Sequence, residues 1–361
     1  MHGDTPPVTA PARPSWRIPV ALAALGAIVV LGFLLLIGQG SVPIGISEVA
    51  SILLGGEPSK EVHRTIVFDA RLPKAITAVA AGSALAVGGA QMQTLFRNPL
   101  ADPFVLGVSS GATLGAAIVI LGTAGSGAGW LAGLETMGRF GVAGAAVMGA
   151  GATLVLALLF ARRVGSPVTV LIVGVMFGYL AGALVDVLTY YADPERLRGL
   201  AQFTRGTVRD VSWDELRIVG PVCLVVTLLA PFLAKSLNLL LLGERYAATM
   251  GIEVRRVQFL TLTSVAVLAG VTTAFCGSIG FVGLAAPHLV RGLLKTSDHR
   301  VVLPASALLG AAIVLLAEYV AGGNGPTSTA LPLNSVTAFI GAPVVLWVLL
   351  RRRQETAQVP T

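Results

Sequence analysis

Ten apolar runs, most of them about twenty residues long, follow one another along this chain with only short polar breaks between them. A helix of about 20 mostly apolar residues crosses a hydrocarbon layer about 30 Å thick. Lipid offers the backbone no hydrogen-bond partners, and a helix satisfies its own within one segment. The runs lie at about 18–37, 73–95, 104–121, 138–161, 167–190, 214–234, 257–279, 283–294, 301–321 and 334–350. They predict an all-α polytopic membrane protein of about ten transmembrane helices, with a single membrane domain over residues 16–351. The eighth run is too short to cross straight and is broken by Gly280, Gly283 and Pro287. Such a break is tolerated only where neighbouring helices or a cavity take up the freed backbone groups. Residues 1–15 are polar and proline-rich and read as a disordered tail, with a second tail at 352–361. Arg13 and Arg17 precede the first run, which is longer than the apolar core of a secretory signal and reads as an uncleaved helix.

Composition agrees. The chain is 55% hydrophobic and 12% charged, against about 25% charged in a soluble domain, so lipid must be its solvent. It also holds 43 glycines. Between helices in lipid, small residues let backbones approach closely. Gly107, Gly111 and Gly115, and again Gly174, Gly178 and Gly182, recur every four residues and clear one helical face. That face is either a tight seam or a smooth wall beside a pathway, unless the spacing is chance. Cys223 and Cys276 sit in apolar stretches and read as small hydrophobes. The four histidines are scattered, so no cluster has the spacing to hold a metal.

Lysine and arginine set the orientation. With the amino terminus inside, the inner loops hold Arg97, Arg162, Arg163, Lys235, Arg245, Arg255, Arg256, Arg291, Lys295, Arg300 and Arg351 to Arg353. Most of the other basic residues fall in two long outer segments, 39–72 and 191–213. The expectation is a multi-pass protein of the plasma (inner) membrane with both termini cytoplasmic. The net charge of +7 then reflects this asymmetry and contact with anionic lipid. No basic strip interleaved with aromatics points to nucleic acid.

The missing chemistry is also informative. No G-x-x-x-x-G-K-[ST] phosphate loop occurs, so if ATP drives this protein another polypeptide hydrolyses it. No H-E-x-x-H string is present, and no catalytic residue is proposed. Asp186 and Glu318 are the clearest ionisable residues within spans. They serve either as helix-end or interhelix hydrogen bonds or as the relay of an ion-coupled secondary transporter.

Four strings carry more than hydropathy: RLPK (Arg71–Lys74), QMQTLFRNPLADPFVLGVSSGATLGA (Gln91–Ala116), LLLLGERYAATMGIEVRRVQF (Leu239–Phe259), and a set from GSIGFVGLAAPHLVR (Gly277–Arg291) through DHRVVLP to ALPLNSVTAFIGAPVVLWVLL. Asn98-Pro99 and Asp102-Pro103 predict a rigid polar turn, because the residue before proline is pushed out of helix. Leu242 to Gly251 reads as a short helix with Glu244 near its start, ended by glycine. Such a helix within 235–256 is a handle for a soluble partner, or lies on lipid.

Together these strings closely resemble the iron-siderophore, haem and cobalamin permease family of ABC importers, the type II importers. The resemblance covers about residues 65–350 with order and spacing intact. It implies a ten-helix permease that pairs with itself or with a paralogous permease around a central path. Two separate ATPase subunits would hold ATP and magnesium, and an extracytoplasmic binding protein would deliver substrate. The chain itself would bind no cofactor. Gly243, Glu244, Arg245, Ala248, Met250 and Gly251 match the coupling helices that dock on the ATPase. Arg71 and Lys74 match an outward basic pair that meets glutamates of the binding protein. Ser166, Pro167, Val168 and Thr169 loosely match the cytoplasmic gate, and Gly174, Gly178 and Gly182 would border the path. The family often has an arginine shortly after the acid that here is Glu318, and this chain has none, with Arg64 or Arg205 as candidate substitutes. A wide path poor in ligands suits a chelate whose metal is already wrapped. Ferric siderophore is the first choice, haem the second and cobalamin the third.

Overall fold

A computed structural model describes residues 16–122, 138–164, 167–322 and 331–357. The tail at 1–15, Ser166 and residues 358–361 lie outside this range. Among the described residues every regular element is helical. Seven helices are long and apolar enough to cross a membrane, and three shorter apolar ones complete the ten segments expected from hydropathy.

Helix α1 (Arg17–Gly38) leads into two short helices, α2 (Ile46–Leu53) and α3 (Glu61–Thr65). A π-helical turn at Ile66–Arg71 then runs without a break into α4 (Leu72–Leu95), so the second span starts well before RLPK. Next come α5 (Val108–Gly122), α6 (Arg139–Val164) and α7 (Pro167–Tyr190). The segment 191–213, read as a loop, contains α8 (Pro194–Arg205). Helix α9 (Trp213–Leu229) opens with a capping box between Ser212 and Glu215. A 3-10 turn continues it into α10 (Ala234–Leu242). Helix α11 (Glu244–Thr249) precedes α12 (Val254–Cys276), α13 (Val282–Leu294), α14 (His299–Ala321) and α15 (Leu333–Ala357).

The core is organised around α4. Residues Ala84 to Leu95 are all buried, and α4 is packed on α14, α12, α13 and α9. Its small residues make this possible. A methyl on Gly82 would overlap the Gly310 carbonyl of α14, and one on Gly89 would overlap the Gly283 carbonyl of α13. These are backbone-to-backbone contacts of the kind dispersion favours in lipid. The first glycine string makes a second seam. A methyl on Gly111 or Gly115 would overlap the Gly149 or Ala145 carbonyl of α6.

Helix α13 has 13 residues and spans about 20 Å, too little for the hydrocarbon layer. The extended stretch 277–280 supplies the missing length. Its polar groups are taken up as lipid requires. The Thr207 N–H donates to Cys276 O at 2.7 Å, and the Gly280 N–H donates to Asn334 Oδ1 at 3.0 Å. Phe281 adopts a left-handed backbone (φ 67°), a conformation that costs a non-glycine residue about 1 kcal/mol.

Candidate functional site

The helix ends gather two polar clusters at opposite ends of α4. At one end lie Arg97, Lys235, Arg245, Arg255, Arg256, Lys295 and Arg300, all residues that the charge pattern assigns to one side. We call this the basic end. The rigid turn between α4 and α5 is there: Asn98 Oδ1 accepts from the Leu100 N–H at 3.0 Å, and Asp102 Oδ1 from the Phe104 N–H at 2.9 Å. Burial pushes the Asp102 carboxyl up to about 6, although the Phe104 N–H opposes that rise.

The coupling candidates stand on this end. Gly243 separates α10 from α11 with φ at 128°, a conformation glycine reaches without a Cβ penalty. Helix α11 buries Ala247 and leaves Arg245, Ala248 and Met250 exposed. Leu242 at the end of α10 (66% exposed), Tyr246 on α11 (49%) and Met250 just after it (57%) leave apolar side chains exposed around this segment. Glu244 is half-buried and accepts from Gln258 Nε2 at 3.0 Å, tying α11 to α12. Gly251, with φ at 80°, ends the stretch as expected. Arg97, just beyond α4, reaches across to the Leu240 carbonyl at the end of α10, which also accepts the Gly243 N–H at 3.1 Å.

The far end departs from the sequence reading. Arg71 is 7% exposed and turns inward. Its guanidinium donates to Ile37 O at 2.8 Å, Gly38 O at 3.1 Å and Val42 O. Ile37 and Gly38 end α1 and Val42 lies in the turn just after it, so Arg71 closes that helix terminus instead of presenting a charge outward. Lys74 is 16% exposed and pairs with Glu318 of α14 at 3.1 Å. Arg209 donates to the same Glu318 oxygen. Glu318 is thus an interhelix ion-pair centre. The cation that accompanies it is Arg209, while Arg64 and Arg205 are both exposed. Asp186 is exposed on α7, with no ion pair to a basic neighbour among those resolved. Nearby, Arg139 pairs with Glu215 at 2.8 Å on the wall of a cavity of about 650 Å³ between α5, α6, α8 and α12.

The gate candidates lie at the start of α7. Ser166 is outside the described residues, Pro167 opens the helix, and Thr169 is half-buried. The second glycine string divides along its length. Gly174 faces Gly107, whose methyl would approach the Gly174 carbonyl to 2.7 Å. Gly178 faces Ser110, and Gly182 has nothing within 4 Å.

Sequence reasoning missed two groups. One is Arg209. The other is a buried set at the basic end in which His299 joins Thr94 to Asn238.

Known proteins supply the frame for these ends. The model of the FecCD transport family matches residues 28–351. The chain belongs to the FecCD transport family. A relative in this family, the hemin transport system permease protein HmuU of Yersinia pestis, is 34% identical over 90% of this chain and 96% of its own length. The vitamin B12 import system permease protein BtuC of Vibrio cholerae is 36% identical over 80% of this chain and 84% of its own. A solved structure described as an inward-facing conformation of a metal-chelate type ABC transporter superposes with a TM-score of 0.79 at 28% identity. It covers 92% of this chain and 99% of that one. As a FecCD protein the chain is a multi-pass membrane permease of the ABC importer type.

Proposed function

We propose that this permease carries an iron chelate inward across the plasma membrane, with ferric siderophore the first choice, haem the second and cobalamin the third. Separate ATPase subunits, holding ATP and magnesium, dock at the basic end, and an extracytoplasmic binding protein docks at the far end. Both termini then face the cytoplasm, as the excess of lysine and arginine at the basic end requires. Two copies of this chain, or this chain and a paralogue, enclose the path, with Gly178 and Gly182 beside it and Pro167 to Thr169 at its cytoplasmic mouth.

The observation that carries this reading is α11. A six-residue helix, with exposed Tyr246 on it, exposed Leu242 and Met250 at its two ends and a half-buried glutamate, is held to α12 through Glu244, and the turn of α10 before it is held by Arg97. That is a rigid handle for a soluble partner, and a secondary carrier has no use for one. Glu318 is also ill placed as a proton relay, because it is buried in ion pairs with Lys74 and Arg209. At the far end Lys74 and Arg209 supply the cations that meet a carboxylate partner, in place of Arg71.

The test is uptake in a strain lacking this permease, supplied in turn with radio-iron siderophores, haem and labelled cobalamin. One chelate is restored by the wild-type chain with an active ATPase and not with an ATPase-dead partner. Glu244→Lys abolishes that uptake while the permease still reaches the membrane. Uptake that survives Glu244→Lys, or that follows the proton gradient with a dead ATPase, overturns the importer reading.

A further inference from the structure

We infer that His299 is a positioning residue that fastens the coupling segment α10–α11 to the central helix pair α4–α14; this rests on the importer reading above. His299 is the first residue of α14 and is fully buried. Its Nε2 lies 2.6 Å from Thr94 Oγ1 on α4, and its Nδ1 lies 2.8 Å from Asn238 Oδ1 on α10. One imidazole therefore touches all three elements.

The direction of these bonds follows from Asn238. Its amide nitrogen donates to Asp298 Oδ1 at 2.6 Å, and its oxygen accepts from the His299 backbone N–H at 2.8 Å. The amide is thereby fixed, so its oxygen accepts from the ring as well and Nδ1 carries the hydrogen. In the neutral ring Nε2 is then an acceptor for the Thr94 hydroxyl, whose one hydrogen is shared with the Ala90 carbonyl at 2.9 Å. Asp298 also caps α14 through the Arg300 N–H at 2.9 Å. Burial opposes ionisation of Asp298, but these hydrogen bonds from Arg300 and Asn238 hold its carboxyl below the usual range.

The clamp sits where a displacement of α11 would have to pass. Three residues beyond Thr94, Arg97 holds Leu240 O, so the end of α4 holds α10 at two points two residues apart, Asn238 through His299 and Leu240 directly. Beyond the clamp, α4 and α14 are locked together along their length. Gly82 meets Gly310, Ser83 Oγ donates to Ala307 O at 3.0 Å, and Lys74 meets Glu318. Helix α4 alone, at 24 residues, spans about 36 Å. Movement of the coupling segment thus reaches the far end through one packed pair, provided that His299 keeps its two bonds.

The experiment uses the full complex of permease, ATPase and binding protein in proteoliposomes. It compares basal ATP hydrolysis with hydrolysis stimulated by the binding protein, so the chelate need not be known. Asparagine places an amide near the position of Nδ1 and glutamine near that of Nε2. His299→Asn therefore keeps the bond to Asn238 and loses Thr94, and His299→Gln does the reverse. Thr94→Val removes the same bond from the other partner at nearly constant volume. Each variant is expected to keep its basal rate and its melting temperature in detergent while stimulation falls about tenfold. Thr94→Val combined with His299→Asn should be no worse than either alone. Wild-type stimulation in Thr94→Val and His299→Asn would overturn the inference. So would basal rate, stimulation and melting temperature falling in parallel, which marks a purely structural bond. A wild-type complex that shows no stimulation, and whose uptake ignores the ATPase, refutes the importer reading instead.

Discussion

Replacing Glu318 by glutamine keeps the shape of the side chain and removes the one anion between Lys74 and Arg209. Glu318 is 1% exposed, and its pair with Lys74 at 3.1 Å is worth about 5 kcal/mol of Coulomb energy at an effective dielectric of about 20. Desolvation of the carboxylate offsets much of that, so the pair's net contribution is far smaller. Removing one member is a different matter, because it strands the others. Buried pairs broken in this way lose about 3–5 kcal/mol. Here the two cations keep some water, Lys74 at 16% and Arg209 at 25% side-chain exposure, so the expected loss is about 3 kcal/mol. The assay is unfolding in detergent at fixed salt, run as a cycle with Lys74→Met. The double variant should recover more than half of the loss, since it removes one stranded charge. Glu318→Gln within about 0.5 kcal/mol of wild type, or two strictly additive substitutions, would refute the account of the cluster.

The other expectations are local. Gly115→Ala drives a methyl into the Ala145 carbonyl of α6 and should cost about 3 kcal/mol, whereas the methyl of Gly182→Ala meets nothing within 4 Å and should cost less than about 0.5 kcal/mol; equal melting temperatures in detergent would contradict the seam. Asp102 binds its proton more tightly when folded, so its favourable contribution is complete below pH about 4 and is lost as pH rises through about 6. Asp102→Asn, whose side-chain oxygen can still accept from Phe104 N–H, should therefore be more stable than wild type by about 2 kcal/mol near pH 7.5 and equal to it only near pH 3. A constant difference across that range would show that burial does not govern this group.

The ten spans were legible because lipid imposes length and hydropathy on every one of them, α13 included with its flanking break at Gly280. The short elements were less so. Helix α8 carries a proline at its first position and Gly206 just after its end, yet its charge count made it look like a loop. The short helix α11 was legible because glycine at 243 and 251 marks both its ends in the sequence itself. Arg71 was misplaced for a physical reason. A cation at the start of a helix looks alike in sequence whether it faces a partner or another helix terminus, and only the fold brings the end of α1 within its reach. Arg209 could not be paired with Glu318, because 109 positions separate them and no periodicity links a loop to a distant helix. His299 stood inside the DHR string, but its partners come from two other helices.

Helix α4 is shielded from lipid on nearly every side, and the span that contains it is the least apolar of the seven long ones, whereas α1, mostly uncovered, is the most apolar. Insertion machinery tests segments largely one at a time and favours those that prefer lipid to water. Helix α1 passes that test unaided. Helix α4, rich in alanine, glycine and glutamine, carries a weak signal, so its retention in the bilayer leans on neighbours that arrive later from α9, α12 and α14. The order of synthesis therefore places the centre of the finished bundle in the membrane before the helices that will justify its being there, and a substitution that delays α14 should appear first as loss of protein from the membrane.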